Sequence, residues 1–199
     1  AQFQQLCKQS VLIDVRSVSA YLGAHVPGSL ALPVGMLASF AGWLLNPGDD
    51  ITLIAENDTQ AEAAARHLAR IGFDNVQGVF ALPMPEQVAN VLPFKSVPTL
   101  GVEDVAGRVN DQPDNWQLLD VRSQSEVAGG VIAGSMHIYV GHIPVKLDTL
   151  PSDKHYTVMC ASGARATVAA SVLLNSGFRN VDVFMGSMGA WKNAGHSVD

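Results

Sequence analysis

A chain of 199 residues with 48% apolar and 15% charged side chains can bury one large core or two smaller ones, which excludes a disordered chain. Its formal net charge of −6, with no Lys/Arg cluster, argues against a nucleic-acid groove or a basic face for anionic membranes, so any anion site must be local. Two cysteines, Cys7 and Cys160, read as free thiols rather than a disulfide framework. No apolar run approaches the ~20 residues of a spanning helix, and no basic-then-apolar leader opens the chain. A soluble, cytoplasmic protein is the expectation. The first residue is Ala rather than Met, as in a piece trimmed from a longer chain.

In chain order, the first half reads as a short helix over 2–8, strands at 11–15 and 29–32, a helix over 35–45, a strand at 51–55, a longer helix over 59–70 and a last strand at 76–79. The second half repeats the series at 101–109, 117–121, 135–138, 144–150, 156–160, 166–175 and 181–184. The repeat is also visible in the residues themselves. Asp14-Val15-Arg16-Ser17 falls on Asp120-Val121-Arg122-Ser123, and Gly72-Phe73 with Asn75-Val76 falls on Gly177-Phe178 with Asn180-Val181. A period of roughly a hundred residues implies two copies of one domain rather than a solenoid. Short apolar strands alternating with helical patterns imply an α/β fold, each copy a mainly parallel sheet flanked by helices. Pro83, Pro85, Pro93 and Pro98 interrupt the periodicity between the copies and put the boundary near residue 96, giving domains 1–95 and 96–199. Within that stretch "MPEQVANVL" has the proline start and three-and-four spacing of a further helix.

The second copy carries "YTVMCASGARATVAAS". Cys160 ends an apolar strand, at the carboxyl edge where open α/β sheets place their ligand sites. The small residues Ala161, Ser162, Gly163 and Ala164 can wrap backbone N–H groups around one point, and Arg165 falls at the start of a helix that Gly177 ends. Converging amides, a helix amino terminus and a cation all stabilise a thiolate, and they would also stabilise an anion attached to it. Nucleophilic covalent catalysis is the functional reading. A cysteine ending an apolar strand is by itself more often a small buried hydrophobe, and it is Ser162-Gly163 and the arginine that favour chemistry.

"LLDVRSQSEVAGGVIAGSMHI" and "YTVMCASGARATVAASVLLNSGFRNVDVFMGSMGAW" together resemble a rhodanese domain, a sulfurtransferase module. The resemblance rests on the Asp-Val-Arg strand end, the Cys-x-x-Gly-x-Arg loop, the Gly-Phe-x-Asn-Val strand entry and the ending Gly186-Ser187-Met188-Gly189-Ala190-Trp191, and it extends to both halves. It implies that Cys160 takes a sulfane sulfur from thiosulfate or a low-molecular-weight persulfide and passes it to a thiol or another thiophilic acceptor. It also implies that the amides of Ala161 to Arg165 form the anion cradle, with Arg165 anchoring the loop or the incoming anion. Asp120 and Arg122 become hydrogen-bonding supports, and Glu126 a partner for Arg122. No cofactor and no metal is implied for these residues.

Related phosphate-handling loops place five residues between Cys and Arg. Here there are four, Ala161 to Ala164, a tighter ring that favours sulfur over a phosphoryl group. A phosphatase and a noncatalytic module with a buried, unreactive Cys160 are the alternatives. The family's Gly-His-Ile-Pro-Gly is replaced by Gly130-Val131-Ile132-Ala133-Gly134, read as a change of local structure. "GSLALPVGMLASFAGWLLNPGDDI" and "MHIYVGHIPVKLDTLP" further resemble bacterial proteins that join a metallo-β-lactamase-like domain to rhodanese units. That likeness implies a metal-dependent domain outside these residues, since no His-x-His-x-Asp-His run is present.

The first copy has lost the motif. Ala55, Asp58 and Gln60 stand where Cys160, Gly163 and Arg165 stand in the second, and Glu56 with Asp58 would repel an anion. Thr59-Gln60-Ala61-Glu62 fits a capping box. This copy keeps His25-Val26-Pro27-Gly28, either as part of a docking scaffold or as a packing remnant of duplication. Trp43 in "FAGWLL" reads as core, and Cys7 as packed inward on a helix face. His137 and His142 lack metal-site spacing, and no glycine-rich nucleotide loop is present.

Overall fold

Residues 9–81 and 93–199 are described by the computed structural model; the helices expected over 2–8 and within 84–91, and Cys7, lie outside the described residues. In the first unit, Ala1–Ser96, short β-branched and leucine-rich runs bounded by turn residues become strands. These are β1 (Val11–Asp14), β2 (Ser29–Ala31), β3 (Ile51–Ala55) and β4 (Val76–Ala81), in a wholly parallel sheet of order β2-β1-β3-β4. The crossovers carry α1 (Val18–Gly23), α2 (Leu37–Leu44) behind a 3₁₀ turn at Val34–Met36, and α3 (Asp58–Arg70). All of β3 is buried, as expected of a parallel strand covered on both faces, and its sequence is therefore continuously apolar rather than alternating.

The second unit, Val97–Asp199, repeats the plan and adds an edge. Its strands are β5 (Thr99–Leu100), β6 (Trp116–Asp120), β7 (Met136–His137), β8 (His155–Met159) and β9 (Val181–Phe184), parallel throughout in the order β5-β9-β8-β6-β7. Its helices are α4 (Val102–Asp111), α5 (Gln124–Val127), α6 (Ile143–Lys146), α7 (Ala164–Asn175) and α8 (Ser187–Asn193). Residues 166–173 of α7 are buried without interruption against β8 and β9, which is why this helix shows no polar stripe. Registers level the strand ends: Asp120 pairs with His137 on one side and Met159 on the other. The carboxyl edge of the sheet thus brings the residues after β6, β7 and β8 side by side.

Three local expectations change, and one strand is added. Trp43 is not core but half exposed, because α2 buries Leu37, Phe40 and Ala41 and position 43 falls off that three-and-four stripe. The helix start near residue 58 is capped by Asn57, whose Oδ1 accepts the Gln60 N–H at 2.9 Å while Gln60 Oε1 accepts the Glu56 N–H at 2.8 Å. The hydrogen-bonded cap therefore lies two residues before Thr59. The helix expected over 144–150 divides into α6 and a 3₁₀ turn at Leu147–Thr149. Strand β5, two residues at a sheet edge, carries too little periodicity to be read from sequence. Among the described residues, no helix is long and apolar enough to cross a membrane.

Candidate active site

Cys160 follows the last residue of β8, and α7 begins at Ala164 with Gly163 as its N-cap. Four residues, Cys160 to Gly163, must therefore turn from strand to helix around one side chain. Gly163 makes this turn at φ +112, a conformation that L side chains rarely adopt, and a Cβ there would also lie 2.9 Å from Met185 Sδ. Its N–H donates to Cys160 Sγ at 3.1 Å. Thr167 Oγ1 and the Thr167 N–H both donate to the Gly163 carbonyl at 2.9 Å, fixing the glycine to the first turn of α7.

The other side of the loop is tied to the turn that follows β9. Met188 N–H donates to Cys160 O at 3.1 Å, Gly189 N–H to Ala161 O at 2.9 Å, and Gly186 N–H to Ser162 O at 3.1 Å. Three successive loop carbonyls are thus bound to the turn after β9, while the Gly163 amide is directed at the cysteine sulfur. A Cβ on Gly189 would sit 3.2 Å from Ala161 O, which accounts for glycine at that place in "GSMGAW". Ser187 is fully buried at φ +49, a strained choice for a residue with a side chain. Its Oγ accepts the Cys160 N–H at 3.0 Å and donates to Phe184 O at 2.7 Å. Sequence reasoning missed Ser187 because its role appears only when the turn at α8 meets the loop at α7.

Arg165 forms a two-pronged pair with Glu126, Nη1 to Oε2 at 2.6 Å and Nη2 to Oε1 at 2.7 Å. These hydrogen bonds chiefly hold the Glu126 carboxyl down at about 2. They also push the Arg165 guanidinium above its usual range, with smaller contributions from the charge and hydrogen bonding of Cys160. The carboxylate is aimed by Ser123, whose N–H and Oγ both donate to Oε2, at 2.9 and 2.8 Å. The expected Glu126–Arg122 pair is thus corrected. Arg122 instead pairs with Asp120, Nη2 to Oδ2 at 2.6 Å, and reaches Glu126 only through its backbone carbonyl, with a second bond to Gly130 O at 2.8 Å. An arginine that satisfies a buried carboxylate and two loop carbonyls shapes the 126–130 turn, and Asp120 sets its direction.

Cys160 is 1% exposed, beneath an outer loop surface where Ala161 and Ser162 are exposed. On the β7 side of the sheet lies a cleft of about 430 Å³ whose lining includes Ser123, Gln124, His137, Tyr139, His142 and Lys146. His137 Nε2 lies 2.8 Å from the Arg122 carbonyl, so this nitrogen carries the proton. Among the described residues, no group of three His, Cys, Asp or Glu could hold a metal ion.

The first unit keeps the scaffold without the site. Arg16 Nη2 bonds Asp14 Oδ2 and Ala24 O, each at 2.6 Å, reproducing Arg122 with Asp120 and Gly130. Ala55 is buried where the cysteine would stand. His25 pairs through its backbone with Lys95, as Val131 does with Asp199, and its ring stacks on Tyr21 at 4.1 Å. Burial lowers the His25 pKa, so the retained histidine is a packed, largely neutral ring.

A family model described as the rhodanese-like domain matches residues 1–79 and again 102–194. The Bacillus subtilis protein YtwF is 44% identical over 75 residues, 38% of this chain and 72% of its own length. A protein of Allochromatium vinosum named sulfurtransferase is 30% identical over 93 residues, 47% of this chain and 86% of its own. Among solved structures, a rhodanese-related protein from Thermoplasma volcanium aligns at 28% identity with a TM-score of 0.46, covering 51% of this chain and 97% of that one. With the same domain matched once in each half, the chain belongs to the rhodanese-like domain family.

Proposed function

We propose that the second unit is a sulfurtransferase centre in which Cys160 carries a sulfane sulfur as a persulfide. The observation that carries this reading is the Gly163 N–H directed at Cys160 Sγ at 3.1 Å inside a loop whose outer carbonyls are otherwise bound. That arrangement favours negative charge on the cysteine sulfur and on a sulfur attached to it. The name of the Allochromatium relative supports the same class of reaction.

In the loading step the Cys160 thiolate attacks the outer sulfur of thiosulfate. The new S–S bond forms as the donor's S–S bond breaks, and sulfite leaves with the electron pair. A low-molecular-weight persulfide would load the same position and leave as its thiolate. Arg165, held by Glu126, closes the ring and supplies a fixed positive charge. The amides of Ala161, Ser162, Gly163 and Ala164 face the bound sulfur, while Asp120 and Arg122 hold the neighbouring turn. The four-residue interval supports sulfur over a phosphoryl group, and sustained turnover of an aryl phosphate would count against it. A metallo-β-lactamase-like domain outside these residues is the partner this reading would add.

The burial of Cys160 favours one second reading, a noncatalytic module in which the thiol is packing. Alkylation by iodoacetamide, with and without denaturant, separates the two. A catalytic thiol is alkylated in the folded protein, whereas a packed one reacts only after unfolding.

A further inference from the structure

The cation of the cysteine ring is already occupied. Arg165 interacts with Cys160 by charge and hydrogen bonding, yet both of its terminal nitrogens donate to Glu126, at 2.6 and 2.7 Å. The planar fork that matches a carboxylate also matches a sulfonate, and here it is filled. Ser123 fixes the filling group, since its N–H and Oγ both donate to Glu126 Oε2. Arg122, the other arginine of the site, is consumed by Asp120 and two loop carbonyls. Residues 161–164 of the loop are uncharged. The cations and carboxylates of the ring and its supports therefore balance, and the Glu126 side chain is 34% exposed.

A carboxylate at this place weakens the pull on any incoming anion, and the fold does not demand it. The first unit retains a buried Asp14–Arg16 pair that matches Asp120–Arg122, but the second ion pair is missing there. Ala20 stands where Glu126 stands, each with its N–H capped by the matched serine, Ser17 or Ser123. Asp14 pairs with Ile54 as Asp120 pairs with Met159, which sets Ala55 with Cys160 and Gln60 with Arg165. One ion pair belongs to the architecture, and the other accompanies the thiol.

We propose that Glu126 is a specificity-determining residue of the loading step, occupying Arg165 so that the centre discriminates against doubly charged sulfur donors, an assignment that rests on the sulfurtransferase reading. Arg165 keeps its charge beside the cysteine sulfur, whereas a donor with a second negative charge next to its reacting sulfur finds no free fork and meets the carboxylate. Thiosulfate is such a donor. Methanethiosulfonate presents the same outer sulfur on a body with no charge of its own. With it, the Cys160 thiolate attacks the outer sulfur, the new S–S bond forms as the donor's S–S bond breaks, and methanesulfinate leaves with the electron pair. With thiosulfate the same exchange releases sulfite. Because Glu126 is held at about 2, its charge is present throughout the neutral range.

The test measures sulfur loading of the full chain by thiosulfate and by methanethiosulfonate through intact mass, and takes the ratio of the two rate constants. The ratio cancels any change common to both donors. Glu126→Gln should raise the thiosulfate-to-thiosulfonate ratio about tenfold, and Glu126→Asp should leave it near that of the unsubstituted protein. Glu126→Ala, which installs the side chain that the first unit carries at the matched place, should act as Glu126→Gln does and serves if the glutamine variant fails to fold. A ratio unmoved by either neutral substitution, even with both rates lowered, makes the carboxylate a strut for Arg165 and overturns the proposal while the transfer reading stands. An unsubstituted protein that neither donor loads overturns the transfer reading and the proposal with it.

Discussion

Arg165 and Glu126, 39 residues apart in sequence, meet in a two-pronged ion pair at 2.6 and 2.7 Å that joins the first turn of α7 to the helix after β6. Because the pair holds the Glu126 carboxyl at about 2 instead of its ordinary 4.5, its contribution to stability has a definite pH sign. It is fully present above about 4.5, the ordinary carboxyl value, and is lost as pH falls toward 2. Thermal unfolding of Glu126→Gln beside the unsubstituted protein should show a gap in Tm that is widest at pH 5 and above and closes toward pH 2. A gap independent of pH would contradict this account of the pair.

Ser187 tests whether the Cys160 amide needs its hydroxyl. Ser187→Ala keeps the strained φ of +49 and leaves the buried Cys160 N–H without its acceptor, a loss of about 1–3 kcal/mol. Ser187→Gly leaves the same gap but relieves roughly 1 kcal/mol of left-handed strain. The glycine variant should therefore be the more stable of the two in denaturant titration, while both load sulfur more slowly than the parent. Equal stability of the two variants would show that Ser187 is not strained in solution.

At Gly163, an added methyl meets both a φ of +112 and Met185 Sδ at 2.9 Å. Gly163→Ala should cost at least about 1 kcal/mol and slow sulfur loading, and adding Met185→Ala should restore little of either. Met185 can move aside, whereas the backbone cannot change sign without opening the loop. Full rescue by the second substitution would mean that the contact, and not the conformation, demands glycine.

The duplicated Asp–Arg pairs allow a paired measurement. Asp14 with Arg16 and Asp120 with Arg122 are both buried, and removing one partner of such a pair costs about 3–5 kcal/mol. Asp14→Asn and Asp120→Asn should destabilise their own units to a similar degree. Hydrogen exchange read unit by unit would reveal this, and only the second substitution should also impair sulfur loading.

Much of this architecture was legible because it is local. Short apolar runs bounded by turn residues gave the strands, three-and-four patterns gave most helices, and the repeat gave the tandem α/β plan. Cys160 and Arg165 could be placed on a strand-to-helix turn from Gly163 and the helical run that follows. What sequence left unread depends on long-range meetings. Glu126 finds Arg165 rather than Arg122 because Arg122 is consumed by Asp120 and two carbonyls. Ser187 gains its role only when the turn after β9 closes on the loop. Trp43 is apolar and lies in an apolar helix, so only the direction of the buried stripe tells that it faces out. The cleft lined by Ser123, His137, His142 and Lys146 draws on separate segments that no single motif contains.

Intact-mass measurement after incubation with thiosulfate or a low-molecular-weight persulfide tests the central claim most directly. The protein should gain one sulfur atom, reversed by a thiol, with Cys7→Ser gaining it equally and Cys160→Ser gaining none. A protein that takes up no sulfur from either donor, or one whose Cys160→Ser variant takes it up undiminished, would contradict the assignment of Cys160 as the sulfur carrier.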